Sequence, residues 1–134
     1  MYKRQGTGWQ AGIETAAEIQ PVILRIKERC AELDREIDED HFGAGFAVRF
    51  GSQNEPIVSK YNEIMRERLG KDPKEYSAIG DADTMLELLK EFHEAGAHKF
   101  ILMPIAEGHA DMIHQTKLLI EELMPRIAKL NNED

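Results

Sequence analysis

The chain is poor in the features that mark several functional classes. Its 134 residues include one cysteine, Cys30, so no internal disulfide can form and a disulfide-stapled secreted scaffold is excluded. No apolar run approaches the roughly 20 residues that a membrane helix needs, and positions 1 to 20 lack the apolar core of a signal peptide. The cytoplasm is the expected location. Cations are in the minority: 17 Lys and Arg stand against 25 Asp and Glu, and the net charge of -8 repels nucleic acid and anionic lipid. Neither nucleic acid nor membrane is therefore an expected partner. There is no glycine-rich phosphate loop, nucleophile elbow, fixed-period repeat or low-complexity tract.

What is present is the composition of one globular domain with a core, 42% hydrophobic and 31% charged. The first five residues, MYKRQ, translate the end of a common transposon-based sequencing adapter. They are set aside as a non-native start, and the gene is expected to continue upstream of Gly6. Domain reading therefore begins at Gly6, with the domain over 6–131 and a polar tail over 132–134.

Ile19, Val22, Ile23, Ile26, Cys30 and Leu33 recur at three- and four-residue steps and predict an amphipathic helix near 13–34. Pro21 predicts a kink or restart inside it, and Cys30 is read as a small buried hydrophobe. The acidic DREIDED stretch reads as a solvated loop. Phe42–Phe50, FGAGFAVRF, reads as a buried strand, followed by a polar loop over 51–56. A helix is predicted near 57–69, stopped by Gly70.

The segment GDADTMLELLKEFHEAGAHKFILMPI holds a complete start, helix, stop and strand. Asp81 or Asp83 caps a helix near 82–95 whose apolar face is Met85, Leu88, Leu89 and Phe92, and Gly96 ends it. The uninterrupted run Phe100 to Met103 predicts a parallel strand near 99–104 covered on both faces. A last helix near 110–130 carries Met112, Ile113, Thr116, Leu119, Ile120, Leu123 and Ile127. Strands alternating with helices give the α/β class with parallel connections, as in barrels or doubly wound sheets.

GWQ ahead of the first helix, DEDHFGAGFAVRFG around the first strand and GDADTMLELLKEFHEAGAHKFILMPIAEG around the second occur in an order and spacing that resemble the luciferase-like family of flavin- and deazaflavin-dependent oxidoreductases. The resemblance covers Gly6 to about Leu130. It implies the C-terminal portion of a (β/α)8 TIM-type barrel and a parent enzyme that transfers hydride, or activates oxygen as a monooxygenase, at a deazaflavin (coenzyme F-420) or FMN ring. Deazaflavin is slightly favoured. At the position of Met103 the family often has Arg, and a thioether cannot pair with phosphate as that cation would. A closed barrel takes about 250 residues and eight strands. This chain is therefore expected to be a fragment with little or no activity alone. The alternative is a complete small α/β binding or regulatory module that self-associates, for example as a homodimer.

Barrel enzymes build their sites at the C-terminal ends of the strands. That rule selects Arg49, Phe50 and Gly51 after one strand, and Met103, Pro104, Glu107, Gly108 and His109 after the other. Arg49 is expected either to meet an anionic group of the cofactor or to pair with a neighbouring carboxylate. Trp9 and Gln10 either line the ring pocket or, for Trp9, pack under the first helix. His109 is the weak candidate for proton transfer. No metal site is expected: His93 and His98, and His109 and His114, are five apart, off the i, i+4 spacing of a helical zinc site. Small-molecule substrate and cofactor are the expected partners.

Overall fold

The computed structural model describes residues 6–132, apart from the side chain of Asn131. The MYKRQ start and the last two residues of the polar tail lie outside them. The described elements are β1 (Trp9–Gln10), α1 (Ala16–Glu32), β2 (Phe42–Phe50), α2 (Pro56–Leu69), β3 (Ser77–Gly80), α3 (Ala82–Glu94), β4 (Lys99–Pro104), α4 (Gly108–Leu118) and α5 (Met124–Asn132). A π-helical turn, Leu119–Leu123, joins α4 to α5.

β2 is the central strand, and every pairing it makes is parallel. On one edge it carries β4, with Gly43 to Val48 opposite Lys99 to Pro104. On its other edge β1 meets its beginning, Trp9 opposite Phe42, and β3 meets its end, Ala47 to Phe50 opposite Ser77 to Gly80. Side chains alternate along a strand. Phe42, Ala44, Phe46 and Val48 therefore share the face that packs on Ile19 and Ile23 of α1, Met85, Leu88, Leu89 and Phe92 of α3, and Leu119 and Leu123. Phe46 stacks on Phe92 at 5.4 Å between ring centroids. The opposite face carries Gly43, Gly45, Ala47 and Arg49. At its C-terminal end it is covered by α2, whose Val58 packs with Ala47, Ile79 and Ile105.

The two long strands and their parallel, adjacent pairing agree with the sequence reading, and the short strand at Trp9 adds a third. β3 was not read at all. Helix limits moved at both ends of the chain. α1 starts at Ala16, three residues after Ile13, because Thr15 and Glu18 form a capping box there: the Thr15 side chain accepts from Glu18 N, and Thr15 N donates to Glu18 Oε2 at 2.8 Å. Pro21 does not interrupt the helix. The carbonyl it leaves without an amide donor, that of Ala17, belongs to an exposed residue and is open to solvent on the outer side of the helix. α2 begins with Pro56 at its first position and stops at Gly70, whose φ of 64° is the left-handed cap. Asp81, and not Asp83, caps α3 by accepting from Thr84 N at 2.9 Å.

Two burial expectations fail. β4 is not covered on both faces: Ile101 and Met103 are 52% and 43% exposed, because nothing among the described residues lies over them. Cys30 is half-buried, not part of the core. No described helix is long and apolar enough to cross a membrane.

Candidate functional site

The C-terminal ends of β2 and β4 are held by one guanidinium. Arg49, 8% exposed, sits on the α2-facing side of β2 and forks onto Glu55 in the following loop, Nε to Oε2 at 3.1 Å and Nη2 to Oε1 at 3.0 Å. Its Nη1 donates to the Ile105 carbonyl at 2.8 Å and to Asp111 Oδ2 at 2.8 Å. These contacts join the loop after β2 to the loop after β4 and to the first turn of α4. Each carboxylate is further fixed by the backbone: Glu55 Oε2 accepts from Ser52 N at 3.0 Å, and Asp111 Oδ2 from Glu107 N at 2.7 Å.

The electrostatics follow from these bonds. The hydrogen bond from Arg49, then the Ser52 amide, holds the Glu55 carboxyl below its ordinary value. For Asp111 the Glu107 amide is the larger cause and Arg49 the second. Arg49 itself is pushed up by its hydrogen bond to Glu55. A charge-assisted fork of this kind is the stronger class of hydrogen bond. The cation is committed to two acids of its own chain, so the carboxylate-pairing alternative describes its geometry.

Gln115 works beside it. Only 2% exposed on α4, it accepts from Phe50 N at 2.8 Å and donates to Phe50 O at 3.0 Å, so that its amide stands in for a strand residue beyond Ile105. Sequence reading missed Gln115. The available signal was a polar residue four positions before Leu119 and eight before Leu123, on the buried side of that helix.

The other surface of interest is the uncovered side of the sheet below this clamp. On it Gly43 and Gly45 are themselves buried, because the Gln10 side chain lies across them, while Ile101 and Met103 are exposed. A Cβ on Gly43 would come within 2.0 Å of Gln10 Oε1, and one on Gly45 within 3.3 Å of the Ile101 carbonyl. Lys99, Ile101 and Met103 stand beside them on β4, opposite Gly43, Gly45 and Ala47. The result is a shallow trough with an amide and an ammonium at its N-terminal end and two aliphatic side chains along it.

No family model matches the sequence, and no curated protein matches it. Among solved structures, the fold matches an F-420-dependent secondary alcohol dehydrogenase in complex with an F-420–acetone adduct, at a TM-score of 0.65 and 15% identity. The match covers 93% of this chain and 44% of that one, so this chain spans less than half the length of that protein. The fold is part of a TIM-type barrel. In barrel terms, the trough is a strip of the inner wall, and α1, α3 and α5 belong to the outer layer.

The barrel strip gathers some of the residues selected from sequence and disperses others. Gln10 and Met103 face the inner wall, whereas the half-buried Trp9 belongs with the helix-facing core. Phe50 also packs into that core, and Pro104 lies opposite Val48 on the same side. Gly51 is exposed in the loop that Glu55 spans. Glu107, Gly108 and His109 form the exposed start of α4. There the Asp111 carboxylate, which accepts from Glu107 N, already places a negative charge in the first turn and disfavours a second anion. The histidines behave unlike a five-residue spacing implies in one respect: the turn at Gly96 brings the His93 and His98 rings to 4.4 Å. Asp38, Asp40 and His41 cluster on the surface before β2, with His41 Nδ1 donating to the Thr7 carbonyl at 2.7 Å.

Proposed function

We propose that this chain is the C-terminal part of a luciferase-like oxidoreductase barrel that transfers hydride at coenzyme F-420. The observation that carries the reading is the fold match to an F-420-dependent alcohol dehydrogenase over 93% of the chain, joined to the uncovered inner-wall strip that a complete barrel would enclose. FMN has no specific support from that match, and the monooxygenase variant of the chemistry rests on the family resemblance alone.

The residues present fit the ring of such a cofactor better than its phosphate. The exposed Ile101 and Met103 side chains offer apolar contact to a planar system, with the Gln10 amide, which covers the buried Gly43 and Gly45, as a hydrogen-bonding group. For a phosphate the strip offers little: Arg49 is committed to Glu55 and Asp111, Met103 carries no charge, and the Asp111 carboxylate sits in the first turn of α4. Phosphate binding is therefore assigned to the remaining strands of the barrel. When bound, a deazaflavin supplies the hydride-accepting carbon; this chain supplies wall and orientation.

The test is to extend the coding sequence upstream until about eight strands are encoded and to follow F-420 absorbance with a secondary alcohol. Reduction of the coenzyme by the extended protein is the expected outcome. A folded, extended barrel that neither binds nor reduces F-420 refutes the assignment. Turnover by the 134-residue chain alone would show that the added strands are dispensable.

A further inference from the structure

α1 carries a second apolar stripe that the core does not use. Ile19 and Ile23 are buried, but Val22 and Leu33 are 40% and 43% exposed, and Ile26 and Cys30 are only half-buried. These four, with Arg25 and Arg29, form one wall of a groove of about 510 Å³ whose other wall is Gly6, Gly8, Trp9, Arg35 and Ile37. Val22, Ile26, Arg29 and Leu33 follow one another at steps of four, three and four, the repeat that lays two helices side by side in a left-handed seam. The groove is thus shaped for another helix's side chains.

The charges beside the seam identify which helix. Arg25 and Glu32 lie seven residues apart along the same flank, with opposite signs. When two such helices run antiparallel about a twofold axis, flanking positions of the same kind face each other, and Arg25 of each copy comes opposite Glu32 of the other. The pattern is self-complementary, as a twofold contact requires. A parallel arrangement would instead face Arg25 with Cys30 of the other copy, which offers it no charge. Both charges already have in-chain partners on the same helix, Arg25 with Glu28 at 3.2 Å and Glu32 with Arg29 at 2.5 Å, but all four side chains are more than half exposed and such bonds compete weakly.

We propose that two copies of this chain associate through antiparallel α1 helices, with Val22 and Leu33 of each entering the groove of the other and two Arg25–Glu32 pairs closing the flanks. The contact is independent of any cofactor. It also covers apolar surface that a lone chain leaves in water.

The sequence provides its own reporters, since its one tryptophan, Trp9, and its one cysteine, Cys30, both line the groove. Sedimentation equilibrium of the whole chain is expected to give twice its 15.3 kDa. Cys30 should react more slowly with a maleimide as protein concentration rises, and Trp9 emission should shift to the blue. Arg25→Glu or Glu32→Arg alone should weaken dimerisation about tenfold, and the double variant should restore it. Both positions are exposed, so the fold is retained, which far-UV circular dichroism checks. A monomer at every concentration, a dimer indifferent to Arg25→Glu, or a double variant no better than the singles would each overturn the proposal. Cys30 protection, read on the unaltered chain, tests it even if a variant misfolds.

Discussion

Arg49 and Gln115 show how single side chains complete what the strands leave open. Truncating Arg49 to Ala strands two partly buried carboxylates and frees the Ile105 carbonyl. Breaking a buried pair costs roughly 3 to 5 kcal/mol, discounted here for the partial exposure of the acids to about 2 kcal/mol. Urea unfolding measures it, and a loss near zero would mean that the clamp is ornamental. The same network sets a pH dependence. Glu55 and Asp111 titrate lower in the folded than in the unfolded chain. Their contribution is therefore complete above the unfolded values of about 4 and disappears as pH falls through the lowered folded ones. The Arg49→Ala variant should lose less stability on acidification than the parent does. Gln115→Leu removes both hydrogen bonds to Phe50 and leaves a half-buried amide and carbonyl unpaired, a loss of about 2 kcal/mol; Gln115→Glu, which keeps the acceptor, should lose part of it.

Elements were legible where a local pattern was long enough to carry them. α1 and α3 announce themselves by apolar spacing, and the T-A-A-E and D-A-D-T starts name their caps. β2 and β4 announce themselves by apolar runs. β3 does not, because four residues with only Ala78 and Ile79 apolar fall below any periodicity; its existence is owed to the unpaired end of β2. α2 was legible as a helix but not as a helix on the opposite face of the sheet from α1 and α3. The packing of α3 on β2 offers a test at this scale. Phe92, fully buried against Phe46, should cost about 3 to 5 kcal/mol when cut to Ala. Thr15→Ala should cost about 1 kcal/mol by removing half of the capping box. Differential scanning calorimetry separates the two by the size of the shift in Tm.

At the scale of the whole molecule, the distinctive property is surface that other surface ought to meet. β4 shows Ile101 and Met103, α1 shows Val22 and Leu33, and the C-terminal helices show Ile113, Ile120 and Met124. Open parallel edges and exposed aliphatic side chains promote association. An environment-sensitive hydrophobic dye should bind the native chain, and replacing Ile101 and Met103 together by Lys should reduce that signal with little change in stability. Unchanged dye binding would place the accessible apolar surface elsewhere.

The class of fold, the two long parallel strands, the four helical regions and the excess of negative charge were already determined by the sequence, because each depends on spacing, composition or caps within a few residues. Tertiary structure alone decided which face each strand turns inward, that Arg49 belongs to Glu55 and Asp111, that Gln115 finishes the edge of β2, and that half the α1 stripe is left uncovered. Those outcomes join residues as far as 65 positions apart. A local pattern reports how much apolar surface an element carries; only the assembled sheet determines what arrives to cover it.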